Sequence, residues 1–287
     1  MRAMAGGALP SHDGFSTSKA VVPPPASSPR EGHGWAFPLD ARLDVAGTPR
    51  SGTGQVALLT GADAARLHGA HFGPWTPVRL RPLVEDTSVL RQAADQGLDV
   101  AFANAYPRGW PGPGGSRRIA APPLAARGAG VLHRHEEALG RGEAVSSEIV
   151  NDGWRRHLGH DWLPDIAPED AGVNLASIAG KHDLTLYAHY STHTAGHEQS
   201  MATAIAALDR VDRFFAGILS AVSHDTLVLV ASDHGNIEDV GAGHTTNPAL
   251  GIAYGPGADE ATRLTDIRQV TGFVLRQLGV EGPQAES

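Results

Sequence analysis

The sequence predicts an α/β fold built on a mainly parallel sheet. Helical and strand patterns alternate along the C-terminal half, and this alternation is typical of parallel strands joined by crossover helices. Residues 226–231 are apolar almost throughout and rich in β-branched residues, as expected of a strand buried on both faces. The chain has 287 residues, 41% of them hydrophobic, which is enough to bury a sizeable core.

The individual elements follow from local periodicity and from turn residues. Residues 1–36 are rich in Pro, Ser and Gly and show no clean strand pattern, so we expect them to be poorly ordered. One domain is expected over 37–287, with an irregular insertion at about 105–180. The predicted helices are 55–67, 88–96, 168–182, 201–222 and 266–278, with a weaker helical pattern over 134–158. The predicted strands are 99–103, 184–187, 226–231 and 250–254, and 107–130 is expected to be irregular.

The composition excludes several classes of protein. The net charge is −8, from 23 basic and 31 acidic residues, and an acidic chain repels nucleic-acid backbones. The absence of cysteine excludes disulfides, thiolate metal sites and cysteine nucleophiles, so any metal site must use nitrogen and oxygen ligands. No apolar run reaches the length of about 18 residues that a membrane span needs, and no signal-peptide core is present. We therefore expect a cytoplasmic protein without nucleic-acid or membrane partners.

Histidines and an aspartate follow two of the predicted strands. Asp233 and His234 come directly after strand 226–231, and His193 and His197 follow strand 184–187 at a spacing that puts both on one side of a helical turn. His244 lies in a short loop ten residues beyond His234. Each motif alone has a structural explanation as a turn, a surface pair or a loop. Because the carboxyl ends of parallel strands meet at one edge of a sheet, we expect these side chains to converge on a metal site.

Two further polar residues are candidates for binding phosphate. Thr53 lies in a Ser-Gly-Thr-Gly-Gln stretch just before a predicted helix, where free backbone N–H groups bind phosphate and favour an alkoxide. The alternative is a simple helix N-cap with glycine neighbours. Asn104 follows strand 99–103 and is a candidate substrate-binding residue, although a turn asparagine explains it equally well.

The order of these motifs resembles the alkaline phosphatase superfamily. The strings Ser-Asp-His-Gly-Asn at 232–236 and Gly-His-Thr-Thr-Asn-Pro at 243–248 are similar to those of the cofactor-independent phosphoglycerate mutase-like metalloenzymes. The stretch 38–65 also resembles small, uncharacterised bacterial members of that branch, and the likeness covers about residues 38–278. The resemblance implies a three-layer α/β/α sandwich.

The same resemblance implies two divalent metal ions at the edge of the sheet. Thr53 would be the nucleophile, forming a phospho-enzyme intermediate, and the metals would clamp the attacking and leaving oxygens. The implied ligands are Asp233 and His234, with the Thr53 hydroxyl, for one ion, and His193, His197 and His244 for the other.

Two positions depart from the family pattern. The family has aspartate where this chain has His193, so one site would hold three imidazoles, which favours Zn, with Mn or Mg as alternatives. The family also opens with an apolar strand ending in Asp-Gly, whose Asp ligates the metal shared with the nucleophile. Here the candidate is Asp13, and the residues before it do not form a core strand pattern. Either Asp13 still reaches the metal site, or the sheet lacks or replaces its first strand.

We therefore expect a metal-dependent phosphoester hydrolase that acts on a small phosphorylated substrate. One alternative is a phosphosugar or phosphoglycerate-type mutase. A mutase of this superfamily carries a large second domain, for which 287 residues leave little room. The other alternative is a degraded pseudoenzyme that binds metal or ligand without turnover, since both departures lie at the predicted metal site. Phosphomonoesters, phosphodiesters and sulfate esters all fit the pattern, and the sequence specifies no oligomeric state.

Overall fold

The strands form two sheets in the computed structural model, which describes residues 20–22, 34–112 and 118–280. A four-stranded sheet has the order β1-β2-β6-β5, and a two-stranded sheet pairs β3 with β4. The strands are β1 (Ala20–Val22), β2 (Gly34–Leu39), β3 (Val100–Phe102), β4 (Leu184–Leu186), β5 (Val228–Ala231) and β6 (Ala249–Tyr254).

Twelve α-helices surround these strands in the described ranges, together with a short 3₁₀ helix at Val78–Leu80. They are α1 (Ser51–Thr60), α2 (Ala64–His68), α3 (Arg81–Thr87), α4 (Val89–Asp95), α5 (Ala121–Gly128), α6 (Glu136–Gly140), α7 (Asp152–Leu158), α8 (Pro168–Ala179), α9 (Ser191–His197), α10 (Met201–Ala221), α11 (Ala258–Ala261) and α12 (Gln269–Gln277). The predicted elements of the C-terminal half are confirmed to within a few residues at each end.

The relative directions of the strands in the larger sheet contradict the predicted, mainly parallel sheet. β1 and β2, β2 and β6, and β5 and β6 all pair antiparallel, and only β3 and β4 pair parallel within the described ranges. A parallel neighbour requires a crossover connection, but β5 and β6 are joined by the loop 232–248, which contains no helix. The chain therefore returns beside β5 in the opposite direction. The mixed α/β class holds, whereas the three-layer sandwich stays a prediction.

The predicted domain start at residue 37 is also wrong, because strands occur before it. β1 lies within the segment expected to lack strands, and β2 begins at Gly34. Phe37 and Leu39 of β2 are buried in the core. The strand was missed because Gly34 and Pro38 interrupt the apolar pattern, and proline is normally depleted from strands.

Two helical predictions need correction. The helix predicted at 55–67 is two helices, since Gly61 adopts a left-handed conformation with φ of 75° and ends α1. The irregular stretch 107–130 contains α5, whose Pro122 and Pro123 lie in the first turn, where the missing N–H groups cost nothing.

Two hydrophobic clusters lie on opposite sides of β2 and β6, since alternate residues of a strand point to opposite faces. Phe37 joins a cluster with α1, α4, α5 and α12, while Ala36 joins a cluster with α8 and α10. A cavity of about 2050 Å³ lies between β4 and β5. Among the described residues, no helix is long and apolar enough to cross a membrane.

Candidate metal centre

The first turn of α1 packs tightly against the end of β5 because it contains two glycines. A Cβ atom on Gly54 would lie 2.6 Å from the carbonyl oxygen of Asp233, and one on Gly52 would lie 2.2 Å from the carbonyl oxygen of Trp75. Only glycine permits this approach of three backbone segments. The Gly-Thr-Gly motif therefore brings the start of α1 next to the loop that follows β5.

Ser51 is the hydroxyl that this packing brings to the histidines. It is the first residue of α1, it is 5% exposed, and its Oγ lies 2.8 Å from Nε2 of His234. The sequence prediction missed Ser51, although it opens the same Ser-Gly-Thr-Gly motif. A hydroxyl at the first position of a helix lies closer to the free amides of the first turn than one two residues further on.

Thr53 does not join the histidines. Its side chain is fully buried, and its Oγ1 accepts a hydrogen bond of 3.2 Å from the backbone N–H of Phe72. The carbonyl oxygens of Phe72 and Arg50 lie 3.4 and 3.3 Å from the same hydroxyl. In this arrangement Thr53 anchors the segment around residue 72 to α1.

Four histidines from two segments meet beside Ser51. Ligand atoms of His193, His234 and His244 all lie within 4.8 Å of one another. Nε2 of His197 lies 3.0 Å from Nε2 of His244. His193 and His197 lie on α9, and the other two histidines lie in the loop 232–248. The structure brings the four histidines together, although the larger sheet is antiparallel.

Hydrogen bonds orient two of the imidazole rings. Nδ1 of His244 lies 2.9 Å from the carbonyl oxygen of Pro49, and Nδ1 of His234 lies 3.0 Å from that of Gly235. A carbonyl only accepts, so each Nδ1 carries the proton and donates it. Each Nε2 then faces the cluster, which is the arrangement of metal-binding histidines.

Burial favours the neutral form of two of these histidines. Desolvation and the neighbouring histidines lower the pKa of His193 to about 3, and desolvation is also the main cause that lowers the pKa of His244 to about 4. Burial raises the pKa of the Asp233 carboxyl. Its Oδ2 lies 3.8 Å from Nε2 of His234 and has no hydrogen-bond partner among the described residues.

These residues fit a divalent metal. A buried carboxylate oxygen without a partner and several imidazole lone pairs are costly to bury alone, and a cation satisfies both. The donor set is dominated by nitrogen, which suits Zn better than Mn or Mg. His193 and His234 were assigned to separate ions from the sequence, whereas the structure places their ligand atoms in one group with those of His244.

Glu238 holds the loop 232–248 in shape, and the sequence prediction missed it. Its carboxylate accepts hydrogen bonds from the Asn236 N–H, the Thr245 hydroxyl and the Asn247 amide. A β-bridge between Gly235 and Thr245 adds a second link. The asparagine and threonine residues of the two motifs therefore fix the positions of the histidines between them.

The two other predicted site residues lie outside this cluster. The Asn104 amide donates a bond of 2.7 Å to the Ala188 carbonyl and accepts one of 2.8 Å from the Ala188 N–H. It is buried, and both ends of its amide are engaged in tying the end of β3 to the end of β4. Asp13 lies outside the described residues.

Comparison with known proteins matches part of the chain to a family. Residues 172–281 match the family model described as the Metalloenzyme superfamily. A 2,3-bisphosphoglycerate-independent phosphoglycerate mutase of Cereibacter sphaeroides is 26% identical over 135 residues, 44% of this chain and 27% of the relative. One from Paracoccus denitrificans is 29% identical over 134 residues, 43% of this chain and 26% of the relative.

A solved structure of the PH0037 protein from Pyrococcus horikoshii aligns with a TM-score of 0.43 and 14% identity, covering 67% of this chain and 45% of that one. The match to the two bacterial mutases spans only about a quarter of their length. The matched region contains His193, His197, Asp233, His234 and His244. The family model and the two mutases confirm the resemblance to the superfamily that the motifs indicated.

Proposed function

We propose, from its similarity to the alkaline phosphatase-like metalloenzymes, that this chain is a metal-dependent phosphoester hydrolase with Ser51 as its nucleophile. The observation that carries the proposal is the 2.8 Å contact between Ser51 Oγ and His234 Nε2, at the edge of a cluster of four histidines. This position supports Ser51 over Thr53, whose hydroxyl is engaged with the backbone of Phe72. The substrate would be a small phosphorylated molecule.

The donor groups divide between two proposed divalent ions. Asp233 and His234 would hold one ion beside Ser51, and His193, His197 and His244 would hold the other. When bound, such ions neutralise phosphate charge and lower the pKa of a coordinated hydroxyl. Asp13 stays a candidate ligand.

Ser51 has two features that a nucleophilic hydroxyl needs. Nε2 of His234 lies 2.8 Å from Ser51 Oγ, and Nδ1 of the same ring is engaged with the Gly235 carbonyl, so an ion held by this Nε2 would lie beside the serine oxygen in place of that contact. The oxygen also lies at the N-terminal end of α1, where the helix dipole and the first-turn amides favour negative charge. In the proposed reaction Ser51 Oγ loses its proton to solvent and forms a bond to phosphorus as the bond to the leaving oxygen breaks, and the leaving oxygen takes up a proton. Water then attacks the phosphorus, which releases phosphate and restores the serine hydroxyl.

A phosphoglycerate mutase is the second candidate, because the curated relatives carry that name. The two reactions share the attack by the nucleophile and differ in the fate of the phosphate. Incubating the metal-loaded protein with a phosphoglycerate and measuring both inorganic phosphate and the isomeric phosphoglycerate separates them. Release of phosphate supports the hydrolase, and isomer formation without release supports the mutase.

Paired variants test the nucleophile. With Zn-loaded protein and an aryl phosphate or aryl phosphodiester as substrate, Ser51→Ala should lower kcat by about 10³-fold or more, as removal of a nucleophile does in other covalent enzymes. Thr53→Val, which keeps the volume but loses the hydroxyl, should retain kcat within about tenfold and lose some thermal stability instead. Both variants should bind metal at a level close to the wild type.

The opposite pattern, with an active Ser51→Ala and an inactive Thr53→Val, would assign the reaction to Thr53. A wild-type protein that binds metal but turns over no phosphomonoester, phosphodiester or sulfate ester would be the pseudoenzyme.

A further inference from the structure

An arginine lies between two residues that contact the histidine cluster. The carbonyl oxygen of Pro49 lies 2.9 Å from Nδ1 of His244, and Oγ of Ser51 lies 2.8 Å from Nε2 of His234. Arg50, between these two residues, has an extended backbone with φ of −135° and ψ of 144°, and it is exposed. The proposed nucleophile therefore has a solvent-exposed cationic side chain as its immediate neighbour.

The Arg50 guanidinium has no partner among the described residues. By contrast, Arg42 pairs with Asp40, and Arg268 pairs with three carboxylates. Desolvation is the main cause that lowers the pKa of His244 to about 4, and the nearby positive charge of Arg50 lowers it further. An unpaired cation that acts electrostatically on the cluster is available to bind an anionic ligand.

Two backbone N–H groups in the first turn of α1 also lack an acceptor. The N–H groups of Thr53 and Gly54 donate to backbone carbonyls at 2.9 Å. Those of Ser51 and Gly52 donate to no group in the described part of the chain, although both residues are buried. Buried amides without an acceptor are rare and costly, so these two indicate that an acceptor binds here.

Gly73 leaves the space beside these two amides open. A Cβ atom on Gly73 would lie 3.2 Å from the Ser51 nitrogen, 3.4 Å from the Gly52 nitrogen and 3.1 Å from the Cβ of Arg50. The φ angle of Gly73 is not positive, so these contacts, rather than its backbone conformation, explain the glycine. The stem of the arginine and the two amide nitrogens therefore border one uncovered space.

The charge of the proposed centre favours a dianion. Asp233 is the one carboxylate among the proposed ligands that the structure describes, and it would face two divalent ions with Arg50 nearby. A phosphomonoester at about pH 8 carries two negative charges, whereas a phosphodiester or a sulfate ester carries one. A guanidinium binds two oxygens of one phosphate through its fork of N–H donors, and esterification of either oxygen removes an acceptor and a charge.

We propose that Arg50 is a substrate-binding residue which, with the N–H groups of Ser51 and Gly52, binds the unesterified oxygens of a phosphomonoester dianion and selects it over monoanionic phosphodiesters and sulfate esters. The guanidinium donates to two phosphate oxygens and neutralises part of their charge. This inference rests on the proposed function, because it concerns the phosphate that Ser51 would attack.

Two substrates with the same leaving group test the selectivity. With Zn-loaded protein at about pH 8, Arg50→Ala should lower kcat/KM for an aryl phosphate by about 10- to 100-fold, as expected for lost hydrogen bonds to a charged group. For the methyl ester of the same aryl phosphate the loss should stay within about threefold, because the second charge and one acceptor are already absent. Arg50→Lys should lie between Arg50→Ala and the wild type for the aryl phosphate, since lysine keeps the charge but lacks the fork.

Arg276→Ala is the matched control, because Arg276 is also exposed but lies away from the histidines. Its neighbour Gln277 lies against Gly257, just beyond β6. β6 runs antiparallel to β5, so this is the opposite end of the sheet from the loop that carries His234. Arg276→Ala should leave kcat/KM for both substrates unchanged.

Binding of inorganic phosphate gives a measure that does not depend on turnover. In calorimetry on Zn-loaded Ser51→Ala protein, which keeps the amide of residue 51, adding Arg50→Ala should weaken phosphate binding by about tenfold or more. Adding Arg276→Ala should not change it. If the wild type turned over no ester but bound phosphate through Arg50, the hydrolase would be refuted and this inference would stand.

Three results would overturn the inference while leaving the hydrolase intact. The first is an equal loss of kcat/KM for the monoester and the diester in Arg50→Ala. The second is an unchanged affinity for inorganic phosphate in that variant. The third is the same loss in Arg276→Ala, which would indicate a general effect of surface charge.

Discussion

A methyl group added at Gly54 should destabilise the protein, although alanine is the better helix former. A Cβ atom there would lie 2.6 Å from the backbone oxygen of Asp233, well inside contact distance, and a backbone carbonyl cannot rotate away as a side chain can. Overpacking of this kind costs about 1–3 kcal/mol, while the gain in helix propensity is about 1 kcal/mol. We expect Gly54→Ala to lower the free energy of unfolding by up to about 2 kcal/mol.

Gly272 provides a matched control, because it is also the fourth residue of its helix. A Cβ atom on Gly272 of α12 would have only the end of the Arg276 side chain near it, at 3.4 Å. Gly272→Ala should therefore gain about 0.5–1 kcal/mol from helix propensity and reduced freedom of the unfolded chain. The two identical substitutions should shift stability in opposite directions.

Urea unfolding followed by circular dichroism measures both effects as shifts of the midpoint at constant slope. Since Asp233 must move to admit the new methyl group, Gly54→Ala should also weaken metal binding, and Gly272→Ala should not. If Gly54→Ala were as stable as the wild type and bound metal equally well, the close packing of α1 on β5 would be refuted.

Three further predictions address the metal, the pH dependence and the core. His193→Asp should lower the Zn-to-Mn ratio in competitive loading measured by elemental analysis, and an unchanged ratio would exclude His193 as a ligand. A hydrogen bond from Arg42 holds the pKa of Asp40 below its ordinary value of 3.8. The stability that this bond gives the folded protein is fully present above pH 3.8, and it is lost as the pH falls through the lower pKa of the folded state. Asp40→Asn should thus be less stable than the wild type at pH 7 and equal to it in strong acid, as thermal unfolding across pH will show. Leu39→Ala, at a fully buried position of β2, should cost about 2–5 kcal/mol in urea unfolding, and a cost under about 0.5 kcal/mol would contradict its place in the core.

The sequence indicated which histidines lie together better than it indicated the sheet beside them. His193 and His234 lie in the segments that follow β4 and β5, and the bridge between Gly235 and Thr245 brings His244 back beside His234, so the three meet although the neighbouring strands are antiparallel. The antiparallel return of β6 was not predictable from periodicity, since an apolar strand has the same pattern in either direction. Only the absence of a helical pattern in 232–248 could have indicated it.

The proposed nucleophile depends on contacts that are distant in sequence. Ser51 and Thr53 are two residues apart, and both precede the same predicted helix. The helix begins at Ser51, earlier than predicted, because Gly52 and Gly54 are required by contacts to Trp75 and Asp233 that are distant in sequence. Tertiary packing thus explains why two glycines, which are poor helix formers, lie at the start of this helix. Helix propensity is a property of each residue alone and does not predict such packing.

The loop 232–248 has a consequence for how the protein resists proteolysis. It carries His234 and His244 on one connection without regular secondary structure, and Asp239, Gly241 and Ala242 at its tip are exposed. An ion that joined the two histidines would close a ring of chain and restrict the tip, as a covalent staple does. Without an ion the tip keeps its hydrogen bonds, among them those of Glu238 and the bond from the Gln199 amide to the Gly241 carbonyl. A protease should therefore cut the tip faster in chelator-treated protein than in Zn-loaded protein, while cleavage elsewhere stays unchanged. Equal cutting rates would show that the Glu238 bonds alone hold the loop.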